Sequence, residues 1–170
     1  MYDFIQTEPV AGVPATQATE VWLLYDDKQI YVVARCHEAH PERMIANEMR
    51  RDGTGVQQND NFAWSFDTFR DRLNAILFEV TPVGGRADVQ ITNEREANRD
   101  WNPVWRVATG RFEGGWTVEA SIPFKSLRYR PGTTQIWGFQ ARRKNLWKNE
   151  VSYLTPIPQA LGSQGHFRSS

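Results

Sequence analysis

Cysteine is almost missing from this 170-residue chain. The single one, Cys36, excludes an intrachain disulfide and any zinc site built from several cysteines. It fixes no compartment, because secreted bacterial domains without disulfides also exist. An excess of one charge is missing too: 20 Lys and Arg stand against 20 Asp and Glu. A formally neutral chain lacks the basic surface that phosphate-driven nucleic-acid binding needs, so no nucleic-acid partner is expected. No apolar run approaches the roughly 20 residues of a membrane helix, so no membrane span is expected in this chain. The opening Met1-Tyr2-Asp3-Phe4 offers neither a basic segment nor a long apolar one, and no signal peptide is expected in this sequence. There is no fixed-period repeat and no low-complexity tract. What is abundant is aromatic: seven Trp, nine Phe and five Tyr. Length and composition together predict one globular domain over residues 1–170.

Between Gly, Pro and Asp turn signals the apolar pattern has period two, the mark of half-buried strands. Residues 19–26 place Val21, Leu23 and Tyr25 on one face, turn at Asp26-Asp27-Lys28, and return over 29–36 as a hairpin. Phe62, Trp64 and Phe66 alternate with Ala63, Ser65 and Asp67. Further strands are expected over 75–81, 87–92, 104–109, 115–122, 136–142 and 150–154. Pro123 stops one of them because it has no amide donor, and Phe124 to Leu127 is expected to be a single helical turn. The stretch from His40 to Asp52 has room for about two helical turns, with Ile45 and Met49 on one face. About nine short strands with little helix predict an all-β antiparallel sandwich or closed barrel and argue against a parallel α/β fold.

The ordered text of the chain resembles the family 9 carbohydrate-binding modules, in the branch found at the N-terminus of bacterial outer-membrane-associated proteins. The resembling segments begin with Phe4-Ile5-Gln6-Thr7-Glu8-Pro9, Thr19-Glu20-Val21, Leu24-Tyr25-Asp26-Asp27 and Ile30-Tyr31-Val32. They continue with Arg51-Asp52, Asp60-Asn61-Phe62 and Phe66-Asp67-Thr68-Phe69-Arg70-Asp71-Arg72. Asp100-Trp101-Asn102-Pro103-Val104-Trp105, Gly115-Trp116-Thr117-Val118-Glu119, Ile122-Pro123-Phe124-Lys125-Ser126-Leu127-Arg128, Trp137-Gly138 and Arg142-Arg143 complete the set, which spans Phe4 to Pro158. The resemblance implies a jelly-roll or DOMON-like β-sandwich, an extracytoplasmic location (periplasm, cell surface or secreted), and a polysaccharide or oligosaccharide partner. It implies a non-catalytic module. The family's usual opening strand, with its Asp-Gly-x-x-Asp-x-x-Trp type segment, does not occur here. The expected consequence is an exposed sheet edge, open to dimerisation through strand pairing.

Sugar rings present an apolar C–H face that packs on a flat indole, while their hydroxyls bond to polar side chains. Trp101, in a polar loop with Arg99, Asp100 and Asn102, and Trp147, flanked by Asn145, Lys148, Asn149 and Glu150, are the candidate stacking platforms. Arg99, Asp100, Asn102 and Glu150 are the expected polar partners. Trp64, Trp116 and Trp137 read as sandwich core, and Trp22 is undecided. Asp60, Asp67, Asp71, Glu79 and Asp88 form no pair that spacing can place across a glycosidic bond, so no catalytic residue is assigned. Calcium is the metal that oxygens of Asp26, Asp27, Asp60, Asn61 or Asp67 would suit, but no compact loop motif assigns a ligand. His37 and His40 lie close to Met44 and Met49, the residue types through which some DOMON-like relatives hold haem; an electron-transfer domain is therefore one alternative. An interaction domain of an envelope protein is the other. The basic clusters Arg50-Arg51, Arg70 with Arg72, and Arg142-Arg143-Lys144 read as solvated strand ends.

Overall fold

The computed structural model describes residues 1–93 and 96–157. Eleven strands occur in these residues: β1 (Ile5–Glu8), β2 (Thr19–Tyr25), β3 (Gln29–His37), β4 (Asn61–Asp67), β5 (Ala75–Val80), β6 (Arg86–Thr92), β7 (Glu96–Asn98), β8 (Arg106–Phe112), β9 (Gly115–Pro123), β10 (Gly138–Asn145) and β11 (Glu150–Tyr153). They form two sheets, in the orders β1-β11-β10-β4-β5-β6-β7 and β2-β3-β9-β8, with every strand pair antiparallel. The expected all-β sandwich is present. The nine expected strands all form, and the two additional ones are the short edge strands β1 and β7. Helix is limited, among the described residues, to three 3-10 turns at Pro41–Arg43, Val56–Gln58 and Phe124–Ser126. None of these is long and apolar enough to cross a membrane.

Period-two alternation builds the core. Phe62, Trp64 and Phe66 of β4 project between the sheets, with Phe78 of β5, against Val32 and Ala34 of β3 and Trp116, Val118 and Ile122 of β9. Trp64 stacks on Phe78 at 5.4 Å and meets Trp105 edge-on at 5.9 Å, so the aromatic surplus is partly spent here. Burying one such side chain stabilises the fold by roughly 1.5–3 kcal/mol.

The stretch from His40 to Asp52 does not make the expected two-turn helix. Only the Pro41–Arg43 turn forms, and Ile45 and Met49 lie exposed. Backbone amides that a helix would use are taken instead by side chains: the Asp60 carboxylate accepts from the Ile45 amide, and Asn59 Oδ1 accepts from those of Asn47 and Glu48. Arg143 also departs from its expected place in a solvated strand end. Its position in β10 faces it inward beside Phe62, and its guanidinium lies 5.1 Å from the Trp116 ring, almost fully buried. The planar cation substitutes for an apolar residue by stacking on the indole.

β2 is an edge strand of the four-stranded sheet. Met1 occupies part of that edge: its amino group donates to Val21 O at 2.7 Å, and Val21 N donates back to Met1 O at 2.8 Å. Leu23 and Tyr25 share the face of the buried Val21, yet both are exposed, Tyr25 by 82%. The end of β2 runs past the sheet that covers its beginning.

Candidate functional site

Strand register decides which loops share an end of the sandwich. Gln29 at the start of β3 pairs with Pro123 at the end of β9, so the β2–β3 turn and the Phe124–Ser126 turn lie together. Phe124 N donates to Lys28 O at 2.9 Å and fastens one to the other. Gly138 pairs with Asp67, which brings the segment before β10 to the same end. Three stretches far apart in sequence thus border a cleft of about 660 Å³. Ile30 and Phe124 form its apolar floor, and Tyr25, Tyr129 and Trp137 its aromatic walls.

Trp137 is packed among three other rings. Trp137 contacts Phe66 edge-on at 5.9 Å, Phe124 at 6.0 Å and Tyr129 at 5.4 Å. Gln135 organises the loop beside it: its amide donates to Arg130 O and Gly132 O, while its Oε1 accepts from the Trp137 indole N–H at 3.3 Å. Asp26 holds the opposite rim. One oxygen accepts from the amides of Lys28 and Gln29, and the other from the Tyr31 hydroxyl at 2.8 Å. These bonds hold the Asp26 carboxyl below the usual carboxylate range, the Lys28 amide contributing most. Asp27 and the hydroxyls of Thr133 and Thr134 complete the polar lining. A cleft lined by aromatic rings together with carboxylate, hydroxyl and amide groups suits a ligand with one apolar face and many hydroxyls.

The candidate residues from the sequence are not brought together. Trp101 is half-buried on the β7–β8 loop and packs against Phe78 at 6.1 Å. It borders a second hollow of about 410 Å³ with Val104 and the segment from Lys125 to Arg128, at the same end as the large cleft. Arg99 lines a different, smaller space beside Asp52, Glu79 and Asp88. Asp100 and Asn102 are exposed, and the Asp100 amide donates to Asn98 Oδ1. Trp147 lies in the β10–β11 turn at the opposite end of the sandwich. Arg43 and Lys148 each lie 5.1 Å from its ring, and His40 meets it edge-on. Glu150 is buried, and both its oxygens accept from Thr16, one from the amide at 3.0 Å and one from the hydroxyl at 2.6 Å.

The sequence reading missed Tyr25, Asp27 and Tyr129, and placed Trp137 wholly in the core, whereas it is half-buried and lines the cleft. A usable signal existed. The polar, Pro- and Gly-containing run from Arg130 to Gln135 is flanked by two aromatic residues, Tyr129 and Trp137.

Three of the carboxylates considered for calcium, Asp26, Asp60 and Asp67, accept hydrogen bonds within the fold. Asp67 accepts from the amides of Phe69, Asp71 and Arg72, and Asp60 from those of Ile45 and Leu146. Burial pushes the Asp60 carboxyl up, against the pull of those amides and of Arg143. Glu79 pairs with Arg142, which also donates to Asn61. Among the described residues no group of three or more His, Cys, Asp and Glu side chains is placed to hold a metal ion. Of the residues considered for haem, Met44 packs on the core, Met49 is exposed, and His37 and His40 each have one ring nitrogen within hydrogen-bond distance of a glutamate, Glu20 and Glu42.

No protein-family model and no curated protein matches the sequence. Solved structures match the fold. A family 9 carbohydrate-binding module from Caldicellulosiruptor kristjanssonii, in complex with cellotriose, aligns with a TM-score of 0.62 and 15% identity, covering 96% of this chain and 76% of that one. The module from the same organism in complex with glucose gives a TM-score of 0.63 at 15% identity, covering 98% of this chain and 80% of that one. A candidate carbohydrate-binding protein from Bacteroides uniformis gives a TM-score of 0.70 at 10% identity, over 92% of this chain and 78% of that one. The chain therefore shares its fold with the family 9 carbohydrate-binding modules.

Proposed function

We propose that this domain is a non-catalytic saccharide-binding module and that the cleft between Tyr25, Tyr129 and Trp137 is its binding site. The observation that carries the reading is the cleft itself: Tyr25, Tyr129, Trp137, Ile30 and Phe124 line one space together with Asp27, Thr133 and Thr134. A sugar ring packs its C–H face on the indole or phenol rings, and its hydroxyls meet the polar rim. The ligands of the structural neighbours, cellotriose and glucose, are of that chemistry. Binding and release alone require no acid–base pair, and no catalytic role is assigned. An extracytoplasmic location, where such polymers occur, belongs to the same proposal.

The test is titration of the whole domain with cellotriose and a panel of neutral oligosaccharides. Trp137→Ala and Tyr129→Ala are each expected to weaken binding by at least about tenfold, about 1.4 kcal/mol. Tyr129 and Tyr25 are exposed enough that their alanine variants keep the fold, which near-ultraviolet circular dichroism checks. Full affinity in Trp137→Ala and Tyr129→Ala would move the site elsewhere, and no binding across the panel would overturn the function.

A second reading rests on a different surface. Trp22 and Leu24 are 44% and 52% exposed side by side on the outer face of the edge strand β2. Such an apolar strip suits a protein contact. Sedimentation of the wild type against Trp22→Ser tests it: a self-associating wild type and a monomeric variant support an interface, and two monomers refute self-association.

A further inference from the structure

The second hollow is separated from the large cleft by one short ridge. Phe124 and Tyr129 border the large cleft, whereas Lys125, Ser126, Leu127 and Arg128 border the Trp101 hollow. The ridge is six residues long, so its two sides lie less than about 20 Å apart even at full extension. It is pinned on both flanks. The Ser126 hydroxyl donates to Val104 O at 2.7 Å, and the Thr68 hydroxyl donates to Arg128 O.

The two sides of the ridge differ in charge. The large cleft carries Asp26 and Asp27. The Trp101 hollow carries two exposed cations, Lys125 and Arg128, and neither forms an ion pair among the described residues. Two unpaired cations beside a half-buried indole suit a ring that carries a carboxylate. The acidic neighbour across the ridge disfavours a ligand that is anionic along its whole length.

We propose that the Trp101 hollow is a second subsite, selective for a uronic acid unit of an otherwise neutral oligosaccharide that also occupies the Trp137 cleft. Trp101 packs on the sugar face, and Lys125 and Arg128 receive the carboxylate. This inference rests on the saccharide reading of the large cleft, and it adds the ligand class: acidic hetero-oligosaccharides.

The probes are cellotriose and glucuronosyl-cellobiose, which differ by one carboxylate, titrated into the whole domain at low and high salt. The acidic trisaccharide is expected to bind at least about tenfold more tightly at low salt, with the advantage shrinking as ionic strength rises. The double variant Lys125→Gln with Arg128→Gln, both exposed, is expected to remove that advantage and leave cellotriose affinity within about twofold. Trp101→Phe is expected to weaken the acidic ligand more than cellotriose. If cellotriose binds and the carboxylate brings no advantage, or the double variant keeps the advantage, the second subsite is refuted while the saccharide reading stands. If neither trisaccharide nor any neutral oligosaccharide binds, the saccharide reading fails and the subsite fails with it.

Discussion

The two ends of the sandwich spend their polar groups differently. At the end of the β10–β11 turn nearly every carboxylate is consumed by the fold. Glu150 holds Thr16, Glu38 accepts from Asn145 at 2.6 Å and from the His40 amide at 2.9 Å, and Asp60 anchors Ile45 and Leu146. Trp147 lies among Arg43, Lys148 and His40. At the opposite end Asp26 and Asp67 are bonded within the fold as well, but Asp27, Thr133, Thr134, Lys125 and Arg128 line open clefts beside half-buried rings. Both ends hold Trp in polar loops, the feature that marks a sugar platform in sequence. What separates them is whether neighbouring side chains already occupy the rings and the polar groups.

Substitutions at the packed end are expected to cost stability and leave binding intact. Asp60→Ala has the largest expected effect. It removes the acceptor for the part-buried amides of Ile45 and Leu146 and a carboxylate whose charge acts on Arg143, an expected loss of about 1–3 kcal/mol for hydrogen bonds left unmade. Urea unfolding measures it, and a loss under 1 kcal/mol would show that the end is not the stabilising one. Glu150→Ala follows. It leaves the exposed Thr16 amide and hydroxyl without their protein acceptor, at about 1 kcal/mol, with cellotriose affinity unchanged. Reduced affinity in a folded Glu150→Ala domain would reinstate Glu150 as a ligand-binding residue.

The same division explains what the sequence could say. Alternation located β2 to β6 and β8 to β11, because successive side chains of a strand point to opposite faces and most of these strands bury one face more than the other. β1 and β7 escaped. β7, Glu-Ala-Asn, is exposed at every residue and carries no apolar period, and β1 is four residues with one buried, Gln6. Trp64 and Trp116 were legible as core for the same reason that β4 and β9 were. The large cleft was not legible, because Tyr25, Phe124 and Trp137 meet only through the register of Gln29 with Pro123 and of Gly138 with Asp67. Trp147 is the converse case. Its polar sequence neighbourhood suggested an open platform, and the groups over its ring include Arg43, about a hundred residues away in sequence.

Acid tests the packed end as well. Glu48, on the segment that crosses the packed end, takes a two-pronged contact from Arg50, both N–O distances 3.0 Å, and a further bond from the Arg50 amide. These hydrogen bonds pull its carboxyl down to about 2 from an ordinary 4.5. A carboxyl depressed in the folded state stabilises the fold above its unfolded value and loses that contribution as pH falls through the folded one. Stability is therefore expected to decline between pH 4.5 and about 2, and Glu48→Gln is expected to flatten that limb of the curve. Thermal melts across this range are the measurement, and parallel curves for wild type and variant would assign the acid limb to other carboxylates.

Trp147 provides the finest discrimination, because the comparison predicts almost nothing there. If a sugar used this indole, it would have to displace or share the space of Arg43 and Lys148, each 5.1 Å from the ring. Those cations gain about 0.5–1 kcal/mol apiece from an exposed ring face, and a ligand taking that face forfeits the gain. Trp147→Leu is therefore expected to cost about 1 kcal/mol of stability through the lost cation contacts and to leave cellotriose affinity within about twofold. Isothermal titration against Trp137→Ala in parallel reads the difference between the ends directly. A tenfold loss in Trp147→Leu with none in Trp137→Ala would reverse the assignment and place the sugar on the packed end.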